Sequence, residues 1–372
     1  MSSFFLYNFV LLCYNELIQH ISEDIIMKYN FDPMYTVKCF EKIVNTPSPV
    51  GYYRDMKPVM EEIAASLGCE ITYDNKSTAY IRLEGEDNSK TVMIGAHLDT
   101  IGMIVRRIDS DGMIRVRQLG GVNFHSLEGE TVHIHTREGK SYSGLVTVSS
   151  HSVHVFEDAR TMERSEENIM IVLDEDVHSK EDVSALGIRH GDPISTEPRF
   201  QISGNGYVKS RFIDDKAAVA LCFNAIKYMK ENSLKPAYRT IFAFPFAEEI
   251  GLGGTYVPEG VSEFVAVDIG LIGPDLDGSE RKVSICAKDN STPYDYDLTT
   301  RLIKLAEKNG IDHAVDIFYR YGTDANAALK AGNNLRAAAF GMAVYCSHGM
   351  ERTHIDGLNA TLDLLLAYLL DK

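Results

Sequence analysis

Four apolar runs in this 372-residue chain each end in a side chain able to bind a metal ion. Thr91 to Ala96 runs into His97 and Asp99, and Thr240 to Ala247 runs into Glu248-Glu249. Phe264 to Val267 delivers Asp268, and the run ending near Val344 leads through Tyr345-Cys346-Ser347 to His348. A fifth piece, Ser210 to Lys216, places Asp214 and Asp215 at the start of a helix-like segment. Singly, each has an ordinary explanation: an aspartate opening a helix is a cap or dipole partner, and one after a strand is a turn residue. Together, two histidines and three carboxylates match a dinuclear hydrolytic site. Oxygen and imidazole donors suit zinc, cobalt or manganese, and a carboxylate can bridge two ions. Two ions about 3.5–4 Å apart share a water, lower its pKa and polarise a scissile carbonyl. A separate carboxylate is then wanted as proton shuttle. Glu248 and Glu249 can divide these roles if the strand ends in a turn.

Such residues converge only if strand ends bring them together, and open α/β sheets bind ligands beyond the carboxyl ends of their strands. The spacing predicts two helices between Pro33 and Leu67, separated by Thr46-Pro47-Ser48-Pro49. Strands follow over Thr78 to Leu83 and Thr91 to Ala96, with Glu84 to Asn88 as a polar turn. After Gly102 the pattern changes to short runs: Met103 to Ile108, Met113 to Leu119, Thr131 to Thr136 and Ser141 to Val148. These predict a small all-β, barrel-like module reaching about Pro198, with a polar stretch over Glu157 to Asn168. Helical period returns from Lys216 to Met229, and a helix over Leu298 to Lys308 lies among the later strands. The expected organisation is one α/β domain in two parts, 31–103 and 200–372, interrupted by a β domain over 104–199.

Composition narrows the function classes. A formal net charge of -16 argues against nucleic acid or an anionic membrane as a partner, because such binding needs clustered Lys and Arg. Six scattered cysteines without a C-x-x-C pair point to neither a disulfide framework nor a thiolate zinc site, and fit a reducing, cytoplasmic compartment. Residues 1–30 form an extension whose run Phe4 to Tyr14 has signal-core length. No Lys or Arg precedes it and it is too short to span a bilayer. It reads as an added helix or an over-extended start, with Met27 as an alternative beginning.

Ala96-His97-Leu98-Asp99-Thr100-Ile101-Gly102, Asp214-Asp215, Glu248-Glu249-Ile250-Gly251 and Gly322-Thr323-Asp324-Ala325, followed by His348, resemble the tetrahedral-dodecamer aminopeptidases. These are glutamyl-aminopeptidase-like dinuclear metallopeptidases, and the similarity runs from about Met34 to the C-terminus. The resemblance implies a mixed-sheet, zinc-exopeptidase-type α/β catalytic domain with an inserted β dimerisation domain. It also implies two divalent ions per subunit, zinc or cobalt foremost, with manganese as a third choice. His97 and Asp268 would hold one ion, Glu249 and His348 the other, and Asp214 would bridge them. Glu248 would be general base and acid, and Asp99 would orient the His97 imidazole. Partners would be peptide substrates and further copies of the chain, from dimer to dodecamer. The chain departs from the family in Thr100, in Lys216 after the Asp pair, and in His348-Gly349-Met350. His354 competes with His348; Gly349 and the preceding strand end favour His348.

The expected function is metal-dependent removal of N-terminal residues from peptides. Rival readings are a related metal amidohydrolase, such as a dipeptidase, carboxypeptidase-like enzyme or deacylase, and an inactive metal-stabilised assembly protein. The intact Glu248 argues against the last. His125, His133, His135, His151 and His154 fall in the insert and read as surface or interface residues.

Overall fold

The computed structural model describes residues 28–372, so the readings of Phe4 to Tyr14 and Met27 lie outside the described residues. Helix α1 (Pro33–Val44) begins where the Asp32 carboxylate accepts from the Met34 N–H at 2.9 Å. Pro33 occupies the first turn, where no N–H is needed. Helix α2 (Met56–Ser66) follows the Pro-punctuated loop, and then come β1 (Thr72–Tyr73), β2 (Ala79–Leu83) and β3 (Asp87–Gly95). β3 starts inside the expected turn, because Asp87 already pairs with Tyr238 of a neighbouring strand.

The module that follows is a closed antiparallel barrel. Its strands are β4 (Gly102–Ile108), β5 (Ile114–Leu119), β6 (Thr131–His135), β7 (Ser141–Val148), β8 (Ile169–Leu173) and β9 (Pro193–Thr196). They close in the order β4-β5-β8-β7-β6-β9, with β9 returning to β4. Alternation fills the interior: Val132 and Ile134 of β6 pack with Val105, Val116, Val146 and Ile171. A short helix, α3 (Lys180–Ala185), lies between β8 and β9. β8, β9 and α3 answer to no predicted element; the strands are four or five residues long and carry no alternation of their own.

After the barrel come β10 (Gln201–Ile202), β11 (Tyr207–Ser210), α4 (Ile213–Glu231), β12 (Tyr238–Phe244) and β13 (Val261–Val267). β14 (Gly270–Leu271), β15 (Val283–Lys288), α5 (Tyr296–Asn309), β16 (His313–Ile317) and α6 (Asp324–Lys330) follow. The chain then runs through β17 (Arg336–Val344), β18 (Glu351–His354) and α7 (Ile355–Leu370). The main sheet is mixed, in the order β1-β2-β12-β3-β13-β17-β15-β16. Its four central strands, β12, β3, β13 and β17, are mutually parallel, so all four point their carboxyl ends at one edge.

Both faces of these strands are buried, which explains their continuous apolar runs. Val92 and Ile94 of β3, with Val265 and Val267 of β13, join the core covered by α1, α2, α4, α5 and α7. Met93, Phe264 and Ala266 join a second core beneath α6, through Ala325 and Ala328. Helix α7 is buried almost all round, so it has no polar stripe from which a helical period can be read. Among the described residues no helix is long and apolar enough to cross a membrane. The described cysteines, Cys39, Cys69, Cys222, Cys286 and Cys346, are all unpaired.

His135 is buried rather than a surface residue. Its ring stacks on Tyr52 at 4.7 Å between centroids and meets Ser195 Oγ at 2.8 Å, tying the barrel to the loop before α2. Burial lowers its pKa from 6.5 to about 4, against the opposing pull of Asp55. The folded state therefore favours the neutral ring, so stability present above pH 6.5 is lost as pH falls towards 4. At about 1.4 kcal/mol per pKa unit the loss approaches roughly 3 kcal/mol. Denaturant unfolding from pH 7 to pH 4 should show His135→Gln losing less stability than the parent by about that amount; parallel curves would refute the assignment.

Candidate active site

The four parallel strands deliver their polar residues side by side. β3 passes through Ala96 into His97, and β13 ends directly on Asp268. β12 stops at Phe244, one residue before Pro245, and the chain turns over Glu248–Ile250 as a single turn of 3-10 helix. Gly251, at φ +71°, closes that turn in the left-handed region. β17 leads to His348. Asp214 and Asp215 depart from helical geometry at the head of α4, and the peptide between them is cis. β11 runs into this pair and β18 runs out of His348, and their pairing of Ser210 with Glu351 joins the two segments.

Both histidines are fixed from behind. His97 Nδ1–H donates to the Asp99 carbonyl at 2.9 Å, leaving Nε2 3.1 Å from Asp214 Oδ1. His348 Nδ1–H donates to the Gly121 carbonyl at 2.7 Å, leaving Nε2 3.5 Å from both Asp214 Oδ2 and Glu249 Oε2. A Cβ on Gly121 would stand 3.0 Å from His348 Nδ1, so glycine permits the ring to sit there. Carbonyl oxygens only accept, so each neutral ring aims a lone pair at a carboxylate. Only a cation between them, a proton or a metal, makes that arrangement favourable. His97, Asp214 and Glu249 offer ligand atoms within 4.8 Å of one another, and so do His97, Asp215 and Asp268. Glu248 Oε2 lies 3.8 Å from His97 Nε2.

The electrostatics show the same demand for positive charge. Burial raises Asp268 to about 7 and Glu249 to about 8, and the Asp214 carboxylate pushes both in the same direction. Burial also lifts Glu248 well above the carboxylate range. For Asp214 burial acts upwards, but hydrogen bonds from His348 and His97 prevail and lower it. Burial alone would lower His348, yet Asp214 and Glu249 hold it at about 10. His97 is likewise raised against burial by Asp214, Glu248, Asp99 and Asp215. Buried carboxylates crowded around two imidazoles are an oxygen-rich, nitrogen-containing donor set that fits divalent zinc, cobalt or manganese.

Several acids around the centre accept hydrogen bonds from backbone N–H groups. The Asp99 carboxylate accepts from Glu248 N at 3.0 Å and Glu249 N at 3.1 Å, so it fixes the turn that presents both glutamates. It stands 3.6 Å from His97 Nδ1, while its own carbonyl makes the shorter contact to the ring. Glu351, fully buried, accepts from Asp214 N and His348 N, each at 3.0 Å. Asp215 Oδ2 accepts from His97 N at 3.0 Å. Asp324, at the head of α6, accepts from Gly254 N at 2.5 Å. Arg211 donates to the Ser126 carbonyl at 2.5 Å, linking the segment before Asp214 to the barrel. Sequence reasoning gave no role to Asp215 or Glu351. Asp215 sits in the noted dipeptide, but nothing in the pattern separates its role from that of Asp214. Glu351 carries no signal at all, since only the pairing of β11 with β18 reveals it.

The two competing histidines lie in different surroundings. His354 caps α7, its Nδ1 accepting from Asp356 N at 3.0 Å while Nε2 meets the Asn205 carbonyl at 2.7 Å. It points away from the cluster. A cavity of about 340 Å³ opens over Asp214, Glu248, Glu249, Asp268 and His348, walled on one side by Arg320 to Thr323 and a face of α6.

The sequence pattern of the M42 glutamyl aminopeptidase family matches residues 78–364. The chain belongs to this family. M42 proteins are metallopeptidases, and this chain is accordingly a peptidase of the aminopeptidase class. YhfE of Bacillus subtilis (strain 168) is 39% identical over 334 residues, covering 90% of this chain and 96% of YhfE. The lysyl aminopeptidase of Pyrococcus furiosus is 25% identical over 58% of this chain and 60% of its own length. In three dimensions the TET1 peptidase of Pyrococcus horikoshii, which assembles into a tetrahedron or a large octahedral shell, superposes with a TM-score of 0.79. It covers 91% of this chain and all of its own, at 23% identity, and shares its fold.

Replacing His354 by alanine in this M42 peptidase should cost about 1 kcal/mol of stability, the worth of a helix cap, and leave peptide hydrolysis at the parent level. Thermal unfolding and a turnover assay check both halves; collapse of turnover would restore His354 to the site.

Proposed function

We propose that this M42 aminopeptidase hydrolyses N-terminal residues from peptides with two divalent ions, zinc or cobalt foremost. His97 and Asp268 would hold one ion, Glu249 and His348 the other, with Asp214 shared between them. The observation that carries this reading is the position of Asp214, whose two oxygens face the two imidazoles separately at 3.1 and 3.5 Å. A carboxylate so placed is suited to bridging. Asp215, beside His97 and Asp268, is a further oxygen donor at the first position.

Bound there, the ions would lower the pKa of a shared water and polarise the scissile carbonyl. Glu248 takes the proton from the attacking water and returns it to the departing amine. It is suited to both steps because it stands beside the cluster, is held by the Asp99 turn, and has its pKa raised by burial. Asp99 and Glu351 keep the donors in register through the backbone N–H groups of Glu248, Glu249, Asp214 and His348. The substrate's free amine is the cation expected near the surplus of carboxylates. We place the division between 31–103, 104–199 and 200–372, with the barrel segment serving association of a cytoplasmic homo-oligomer, from dimer to dodecamer.

Glu248→Gln should retain bound metal and lose about 10²–10⁴-fold in kcat, the usual worth of a positioned acid-base. Elemental analysis with an aminoacyl-p-nitroanilide assay reads both, and parent-like turnover would sink the mechanism. Glu351→Ala releases two backbone N–H groups that position Asp214 and His348, and should weaken metal binding about 10–100-fold. A chelator competition titration measures this; unchanged affinity would show that Glu351 merely fills space.

A further inference from the structure

The cleft over the cluster is small and unevenly charged. Its volume of about 340 Å³ lies at the low end of the range for ligand pockets, about 300–1,000 Å³. The wall made by the loop after β16 and by α6 changes character along its length. Thr323, Asn326 and Ala327 are buried and uncharged. Asn326 is fixed by Asp289, which accepts from its Nδ2, and its Oδ1 is a buried acceptor without a partner. Arg320 and Lys330, by contrast, are exposed and line the same cavity. Among the described residues neither makes an ion pair or a side-chain hydrogen bond. In a chain of net charge -16, two unpaired cations beside an acid-rich centre call for an anionic group on whatever occupies the cleft.

Resting on the aminopeptidase reading, we propose that Arg320 and Lys330 hold the C-terminal carboxylate of tripeptide substrates. The N-terminal residue must bring its carbonyl to Glu248 and its neighbours, so its side chain meets the buried, uncharged part of the wall. Chain beyond the scissile bond leaves towards the exposed mouth, where the cations stand. A short peptide ends there in a carboxylate, whereas a longer one presents a neutral peptide group. A guanidinium and an ammonium both suit a carboxylate, the first as a planar fork and the second as a point charge. Asn326 Oδ1 then remains to accept from the first residue.

The test compares kcat/KM of the metal-loaded enzyme on X-Ala-Ala tripeptides, with Ala, Leu or Ser first, as free acids and as C-terminal amides. Glu-Ala-Ala amide is added. The acids should exceed their amides roughly tenfold or more, mainly through KM, as one or two charge-assisted contacts would give. In Arg320→Ala and Lys330→Ala, both at exposed positions, that ratio should fall towards one. Equal rates for acid and amide in the parent, or a ratio that survives in both variants, overturns the clamp. It is also overturned if Glu-Ala-Ala amide is the preferred amide and loses its advantage in the variants, since the cations then read the first side chain. Failure to cleave any acid or amide overturns the aminopeptidase reading itself, and the clamp with it.

Discussion

The constraint on which the rest depends is the crowding of buried Asp214, Asp215 and Asp268 with half-buried Glu248 and Glu249 around only two imidazoles. Like charges in a low-dielectric site repel strongly, and the fold must oppose that repulsion with rigid support. The support comes from four parallel strands ending at one edge. Each contributes a donor from a different stretch of chain, so no single local movement relieves the crowding. The strands have apolar neighbours on both faces, and this packing keeps their ends in place.

A second layer of acids does a different job. Asp99, Glu351 and Asp324 spend their oxygens on backbone N–H groups of the turns that present the inner donors. These turns have no regular ladder to hold them: one is a single 3-10 turn, and another contains His348 at φ +60°. A buried carboxylate accepting two N–H groups replaces the missing ladder bonds. The negative charge so introduced lies close to the centre, so the positioning layer and the donors share the same demand for cations.

Much of this was legible because the site residues end strands whose apolar runs are easy to see. His97, Asp268 and His348 follow β3, β13 and β17, and the four site strands are neighbours in the sheet. The barrel was legible from short runs broken by Asp111-Gly112, Gly120-Gly121 and Glu138-Gly139. What could not be read was whatever lacks contrast. Helix α7 is buried on nearly every side, β15 and β16 are only six and five residues long, and β8 follows a polar stretch. Glu351 escaped because its role is set by long-range pairing, and Asp99 has a carboxylate role that the His-x-Asp spacing alone does not reveal. His348 and His354 differ in direction: the first precedes β18 with its ring beside Asp214, while the second ends β18 and meets the Asn205 carbonyl.

The contact between the Gly121 carbonyl and His348 crosses from the barrel to the sheet, as does the one between Arg211 and the Ser126 carbonyl. The barrel is therefore not a detachable accessory. A splice joining the chain directly from Ile101 to Tyr207 would leave every side chain of the His97, Asp214, Glu249, Asp268 and His348 cluster in the sequence, yet remove the Gly121 carbonyl that accepts from His348. A graft must restore a carbonyl within hydrogen-bond reach of that ring, whatever its other surfaces have evolved to do.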